Sequence, residues 1–559
     1  MRETYKPGHK KQFYFRRAQR LLPGYLLTII LTISIAYFRT IPSDFRQVIH
    51  QARSSLLLVP NFHFWGQDSY FSSSYFNPLL HLWSLGVEFQ FYLLVPVFAF
   101  IFRRKKILVP VFLLTSLLCC GLVLQVSPKT AFFLLPFRAW EFLAGFGLKS
   151  LPAFVGHIRV SRLARMTFWG VLALGAILFF ALPINGDAPN VLRGHPGLAA
   201  IFMVGITSCF IYFNFSPPTT WLFRFVEQLG TYSYSIYLVH FPILVFLRYQ
   251  PFMGTVLGPF DWSKGVLSLV LLISVSYLFF TYIEQRSRIS PKQIRVFVLC
   301  SLIAAFSIPL LTKLQIHNYS GFKQNISSAY TDRSEYRCGK LWRIQHPLSK
   351  MCPIGYPNNE VKILLLGNSY ADSLKKVFAR VANENKASAY FWVQNTPLMS
   401  SDIEINDVEN EIRSKGISSA LLHYSSGAVS PVILQKFVSR MAESGIPVVI
   451  LGPLPTWEVK VPEAMWDLTE QNLSHLTQSY SQYLSRNAEE IKSLKSLIAP
   501  GVSYVDLGSV FCQTKCLYAD TGGTPYYWDS GHLTLSGANL LSKTLNDSIS
   551  KLIESTNTR

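Results

Sequence analysis

Acidic side chains are scarce in the first 312 residues of this chain. Nine Asp and Glu stand there against 28 Lys and Arg, a net charge of +19. From residue 313 to 559 the balance is 24 basic to 22 acidic, so almost all of the formal +21 lies in the first part. A basic excess of this size suits nucleic acid or an anionic surface. These basic residues sit in short clusters between apolar runs, a pattern that marks membrane topology and excludes a nucleic-acid partner. Half of the chain is hydrophobic and its mean hydropathy is +0.26, too apolar for an ordinary soluble protein of this length. The leading segment MRETYKPGHKKQFYFRRAQR is polar and basic. No small-residue cleavage site accompanies the apolar run after it, so no cleavable signal peptide is expected. No repeat of fixed period is present, which excludes a solenoid. Also lacking are the paired Gly/Pro-broken spans that argue for a transporter.

A bilayer crossing takes about 20 mostly apolar residues. Nine runs meet that need: 21–38, 79–102, 107–126, 131–149, 166–183, 197–213, 231–248, 263–283 and 294–312. Basic clusters mark alternate loops: Lys10 to Arg20, Arg103 to Lys106, Arg159 to Arg165, and Arg286 to Arg295. The positive-inside rule makes the amino terminus cytoplasmic, and an odd number of spans puts everything after residue 312 outside. Four cysteines fall in that outer part as two local pairs, Cys338 with Cys352 and Cys512 with Cys516, and are expected to form disulfides. The expected organisation is a membrane domain over 1–312, a polar irregular linker over 313–352 and an α/β domain over 353–559. Strands are expected at KILLLG, SAYFWVQ, SSALLHY, PVVILGPL and VSYVDL, with a long polar helix between 467 and 495.

The stretch VKILLLGNSYADSL, residues 361–374, reads as a buried strand, a glycine turn, a serine and a helix start. Downstream, WDSGHLTLSGA places Asp529 three residues before His532. A serine at the carboxyl end of a strand needs a base to take its proton and an acid to orient that base. Gly367-Asn368-Ser369 resembles the first block of the SGNH hydrolase family, written GDS, and Asp529-Ser530-Gly531-His532-Leu533 resembles its last, DxxHL. The resemblance implies a flavodoxin-like three-layer fold with Ser369 as nucleophile, His532 as base and Asp529 as orienting acid. Asn368 stands in place of the family's aspartate, and Tyr370 where membrane-linked members carry histidine. The family's glycine and asparagine blocks have no clear counterpart. Gly427 and Asn395 are candidate oxyanion donors or ordinary loop residues. No metal site is assigned.

The membrane half carries its own polar clusters. In order these are YFRRAQRLLP from Tyr14, HLWSLGVEFQFYLL from His81, RAWE from Arg138, SYSIYLVH from Ser233, and Tyr277 with Glu284. Polar groups within spans are costly and mark function or partnering. The ordered set resembles the membrane-bound acyltransferase family three, with Phe89 replacing one glutamate of its second motif. The resemblance implies an O-acyltransferase, and most simply an O-acetyltransferase. Such an enzyme takes acetyl-CoA or another acyl-CoA as donor substrate, with no bound cofactor. It acylates a cell-surface glycan: lipopolysaccharide O-antigen, peptidoglycan or exopolysaccharide. It would span the bacterial inner membrane many times, with the SGNH-like domain in the periplasm.

Each membrane residue keeps two readings. Arg17 and Arg20 can take phosphate groups by forked hydrogen bonds or anchor the span. Arg138 and Glu141, one helical turn apart, can serve a site or neutralise each other. His81, Glu88 and His240 can line a pocket or make interfacial hydrogen bonds. Family members begin with two further spans, the first with a histidine, and this sequence starts where the RRxxR segment begins. A shortened amino terminus is therefore expected, and eleven spans would preserve the topology. Two alternatives accompany the transferase: a membrane-anchored carbohydrate esterase outside the cell membrane, and an inactive truncated remnant.

Overall fold

The computed structural model describes residues 9–557 apart from 68–74, 106, 149–166, 168–169, 172–173, 176–194, 214–220, 257–260, 287–289, 336, 347, 356–358, 395–396, 400–401 and 468–473. The chain forms two compact units, Met1–Gln315 and Ile316–Arg559.

The first unit is helical. Among the described residues five helices are long and apolar enough to cross a membrane: Gln12–Arg39, Leu82–Phe102, Leu108–Val126, Phe223–Leu247 and Trp262–Glu284. The pair Pro291–Ser307 and Pro309–Ile316, bent by 44°, makes a sixth if counted as one span. The protein is thus a multi-pass membrane protein, and not all of the nine expected spans are found among the described residues. The run 131–149 is two short helices, Pro128–Phe133 and Leu135–Gly147, separated by an extended Leu134. Pro136 explains the break, because it has no N–H for the preceding turn and its ring would clash with that turn's carbonyl. The run 197–213 is a helix of 16 residues, Leu198–Phe213, and 166–183 lies almost wholly outside the described residues. Between the first two spans the helix Pro42–Leu56 buries Asp44, Gln51 and Ser55. Gln51 donates to the carbonyl of Phe76 and to Asn77 Oδ1 and accepts from the Leu79 N–H. A buried amide so used ties this helix to the chain entering the second span.

The second unit is a six-stranded sheet in the order β1-β3-β2-β4-β5-β6. The strands are β1 (Met351–Ile354), β2 (Lys362–Gly367), β3 (Ser388–Trp392), β4 (Ser419–His423), β5 (Val448–Leu451) and β6 (Val502–Val505). All neighbours are parallel except β1, which runs antiparallel to β3 at the edge. Setting that edge strand aside, the order is the flavodoxin-like one, whose ligands bind where the strand order reverses. Here that point lies between the carboxyl ends of β2 and β4. The two faces follow from the period of two along each strand. Leu364, Leu366, Leu422 and Ile450 join Val408 and Ile412 of helix Asp402–Lys415 and Phe437 and Met441 of helix Pro431–Glu443 in one core. Helix Ser369–Glu384 lies with helix Ser542–Asn557, joined where the Asn385 amide donates to Asn546 and Ser550 donates back to Asn385.

Two expectations for this unit are corrected. The segment 313–352 is no irregular linker. It holds helices Gly321–Ser328 and Lys340–Gln345 and ends in β1, and it buries Ile326, Ala329, Tyr330 and Arg337. Among the described residues, the expected helix over 467–495 is two short ones, Tyr480–Arg486 and Ala488–Lys495, meeting at Asn487, with 468–473 outside the described residues. Ser479 starts the first with a capping box to Gln482, a stop-and-start signal that divides the polar stretch.

Candidate active site

Gly367 ends β2 against β4. A Cβ there would come 1.8 Å from the His423 carbonyl oxygen, so only glycine allows the two strand ends to lie this close. Asn368 follows as the N-cap of helix Ser369–Glu384, its side-chain oxygen accepting from the Tyr370 N–H at 3.0 Å. The same oxygen accepts from the Ser425 N–H at 3.2 Å, and the amide donates to Ser425 Oγ at 2.7 Å. Asn368 therefore joins the serine turn to the loop after β4, a role its donating NH2 allows and a carboxylate could fill only in part. Ser369 is the first helical residue.

His532 and Asp529 come from a hairpin-like loop in which the Trp528 N–H donates to the His532 carbonyl at 3.0 Å. Asp529 Oδ1 accepts from the N–H groups of Gly531 at 2.9 Å and His532 at 2.7 Å. Its Oδ2 accepts from His532 Nδ1 at 2.7 Å, and Ser369 Oγ lies 2.7 Å from His532 Nε2. Burial works against the charge on Asp529, but the His532 ring and the two amides outweigh it and hold its pKa below the usual carboxylate range. An ionised Asp529 fixes the proton on Nδ1 and leaves Nε2 bare to accept the serine proton. All three predicted residues meet in one hydrogen-bonded line.

Aromatic rings flank the imidazole. Tyr370 lies 4.6 Å away on a tilted ring, and Trp528 stacks at 5.1 Å with 24° between planes. The Tyr370 hydroxyl, its pKa pushed up to about 12 by burial and then by Asp529, abuts Gly531. A Cβ on Gly531 would come 2.0 Å from that oxygen. Gly531→Ala is expected to push Tyr370 or the Asp529–His532 loop aside at a cost of about 1–3 kcal/mol. Thermal melting of the chain checks this, and Tyr370→Phe in the same chain should recover part of the loss.

Behind Tyr370 sits His423, whose ring is fully buried. Burial lowers its pKa from 6.5 to about 4, and a weak contact with the Leu451 backbone does not offset that. The folded value lies below the unfolded one, so between these two pH values the unfolded chain binds the extra proton. Stability is full above pH 6.5 and is lost as pH falls towards 4, by about 3 kcal/mol in total. Acid titration of melting should show this loss, and His423→Phe should reduce it.

Both expected disulfides are present, Cys338–Cys352 and Cys512–Cys516. The second pair's loop leads by pairing of Tyr526 with Tyr518 into the strand pair that carries Asp529 and His532. Gly427, at φ +70°, lines a cavity of about 740 Å³ with Tyr424, Ser426, Leu451, Arg486 and Glu490. Asn395 lies outside the described residues.

In the membrane unit the predicted residues fall into four groups. The Arg17 guanidinium lies over the Tyr92 ring at 5.1 Å, and the Tyr92 hydroxyl donates to Glu88. Arg20 pairs with Glu284 at 3.6 Å. Glu284 closes the π-helical turn Phe279–Glu284 and also accepts from Ser235 at 2.9 Å. His81 and His240 are neighbours, with ring centroids 5.5 Å apart. His81 Nε2 donates to the Leu238 carbonyl at 3.1 Å and His240 Nδ1 to that of Tyr237 at 2.7 Å. Arg138 and Glu141 form a forked pair at 3.0 and 2.9 Å, the guanidinium over the rings of Trp83 and Phe132. Motif reading missed Tyr92 as the link between Arg17 and Glu88, although its place one turn after Glu88 was visible.

The family model described as an acyltransferase domain matches residues 3–283, and that described as an SGNH domain fused to such acyltransferase domains matches 337–547. The chain belongs to the acyltransferase family three with a fused SGNH domain. Among its relatives is the peptidoglycan O-acetyltransferase OatA of Listeria monocytogenes, 28% identical over 299 residues, 49% of this chain and 46% of that protein. Another is the O-acetyltransferase OatA of Staphylococcus aureus strain NCTC 8325, 26% identical over 287 residues, 48% of this chain and 46% of that one. The chain spans about half the length of these curated family relatives.

Proposed function

We propose that this protein is an O-acyltransferase that moves an acetyl group from a cytoplasmic acyl-CoA to a hydroxyl of a cell-surface glycan. The observation that carries the reading is the Asp529–His532–Ser369 line within a chain whose other half is an acyltransferase domain. Ser369 Oγ attacks the acyl carbonyl delivered by the membrane unit while His532 Nε2 takes its proton. The C–O bond to serine forms as the bond to the donor breaks, and His532 returns the proton to the leaving group. A sugar hydroxyl then gives its proton to His532 and attacks the acyl-serine, and His532 passes that proton to Ser369 Oγ as the acyl–serine bond breaks. Splitting one transfer into two easier ones is what a covalent intermediate offers. The Ser369 N–H, in the first helical turn where backbone donors lack helical partners, is suited to the oxyanion.

The acceptor in this reading supplies one sugar hydroxyl to the acyl-serine. It is a surface glycan such as lipopolysaccharide O-antigen, with peptidoglycan the acceptor named for the Listeria relative. Arg17 and Arg20 suit the phosphates of the donor at the cytoplasmic end of the bundle. The SGNH domain then works outside the inner membrane, where the two disulfides persist. If water replaces the sugar, the same acyl-serine makes the protein an esterase. Cells producing the chain decide between them when O-acetyl esters are measured separately on lipopolysaccharide and on peptidoglycan. Gain of ester on either supports the transferase. Loss of pre-existing ester supports the esterase and rejects the transferase.

A further inference from the structure

The stretch from Tyr330 to Cys338 precedes the first strand and lies largely before the SGNH match, yet it contacts residues beside both halves of the triad. On the histidine side, the Asp332 carbonyl accepts from the Leu535 N–H at 2.8 Å and its carboxylate from the Ser536 N–H at 3.0 Å. The Arg333 guanidinium lies 5.1 Å over the Trp528 ring and 5.5 Å over that of Tyr330. Trp528 in turn stacks on the His532 imidazole. The cation thus reaches the imidazole through the indole, and the tilted Tyr370 ring lies 4.6 Å from the same imidazole.

On the serine side, Arg337 is buried with a backbone φ of +48°, a left-handed conformation that an arginine rarely holds unaided. Its N–H is held by both Asp372 carboxylate oxygens, at 3.1 and 3.2 Å. Its guanidinium donates to the carbonyls of Gly367 at 3.2 Å and Trp392 at 3.3 Å. Gly367 is two residues before Ser369, and Asp372 is one turn after it. Lys375 completes the cluster, donating to Asp372 at 3.0 Å and to the carbonyls of Glu335 and Arg337. Cys338 then ties the stretch to β1 through its disulfide to Cys352. Buried charges satisfied on this scale hold one geometry, because any displaced partner leaves an unpaired ion.

We propose that Asp332, Arg333 and Arg337 form a clamp that positions the triad, with Arg333 acting on His532 through Trp528 as a positioning residue. The proposal rests on the reading of Ser369 as nucleophile. The groups facing His532 are Asp529 at Nδ1, the Tyr370 ring, the Trp528 ring with Arg333 beyond it, and His423 behind Tyr370. Arg333 holds the indole by its cation–π contact, and the indole in turn holds the imidazole by stacking.

The test is the rate at which a fluorophosphonate probe labels Ser369 in the full chain in detergent, followed across pH. Wild type is expected to label and Ser369→Ala not to. Arg333→Ala is expected to lower the neutral-pH rate about three- to fivefold. Arg333→Lys should restore the rate, whereas Arg333→Gln, similar in size but neutral, should not. Trp528→Ala should lose more than about tenfold at every pH, with Trp528→Phe retaining most of the rate. An Arg333→Ala profile that superimposes on wild type overturns the clamp. So does a Gln variant equal to the Lys variant, which would leave only packing. Absence of labelling in wild type itself is a different failure, that of the nucleophile assignment.

Discussion

Ser369→Ala is expected to remove glycan acylation by the full-length chain, with a loss on the order of 10⁴-fold or more, while the amount of protein in the membrane stays the same. The size follows from the site's construction. His532 Nε2 and the Asp529 carboxylate are aligned on one oxygen, at 2.7 Å for each contact, and neither has another acceptor for the acyl group within that line. Removing Oγ leaves a base with nothing to activate. Stability should change little, because Ser369 is only partly buried and Asn368 still caps the helix and still holds Ser425. Comparing ester content of surface glycan from cells producing equal amounts of the two proteins checks the expectation. Full acylation by the alanine variant would remove the outer serine from the transfer route.

The second large effect is expected in the membrane unit. Arg138 and Glu141 have side chains only 15% and 16% exposed and are joined by two hydrogen bonds. Arg138→Ala removes the guanidinium that packs over Trp83 and Phe132 and strips the Glu141 carboxylate of its forked partner, a change that costs about 3–5 kcal/mol for a buried pair. The thermal midpoint of the purified chain in detergent should fall sharply. Replacing both residues, Arg138→Met with Glu141→Leu, should recover most of that loss, because an apolar pair of similar volume is often neutral in place of a buried ion pair. Acylation by the double variant separates the two readings of this pair. Wild-type activity marks the pair as mutual neutralisation within the bundle. Lost activity in a restored fold assigns it to the acyl-transfer site. The forked geometry fits the first.

What could be read from the sequence was what short stretches carry by themselves. Ser369 and His532 are 163 residues apart, but each sits in a local pattern that fixes its own surroundings: a strand and glycine turn for one, an acid three residues earlier for the other. The parallel strands were legible for the same reason, since KILLLG and its counterparts are continuous apolar runs. The edge strand β1 was not, because MCPI is four residues long and contains a proline that only an edge position tolerates. The run 131–149 reads as a span by composition alone, and a single proline divides it. The stretch 330–338 looks polar and irregular because its partners are distant. Arg337 reaches Gly367 and Trp392, Asp332 reaches Ser536, and nothing in the spacing of RSEYRC announces either contact. Long-range polar contacts of buried ions carry no periodicity to read.

The central claim is that Ser369 carries the acyl group on its way to the sugar. Membranes holding the full chain, given isotopically labelled acetyl-CoA and quenched in acid, provide the direct measurement by peptide mass spectrometry. The account predicts that the peptide containing Ser369 gains one labelled acetyl ester. The ester should fall when acceptor glycan is added, and it should be absent in Ser369→Ala and nearly so in His532→Ala. Labelled ester appearing on the glycan while Ser369 stays unmodified at every time point, in both the wild type and the alanine variant, would contradict it.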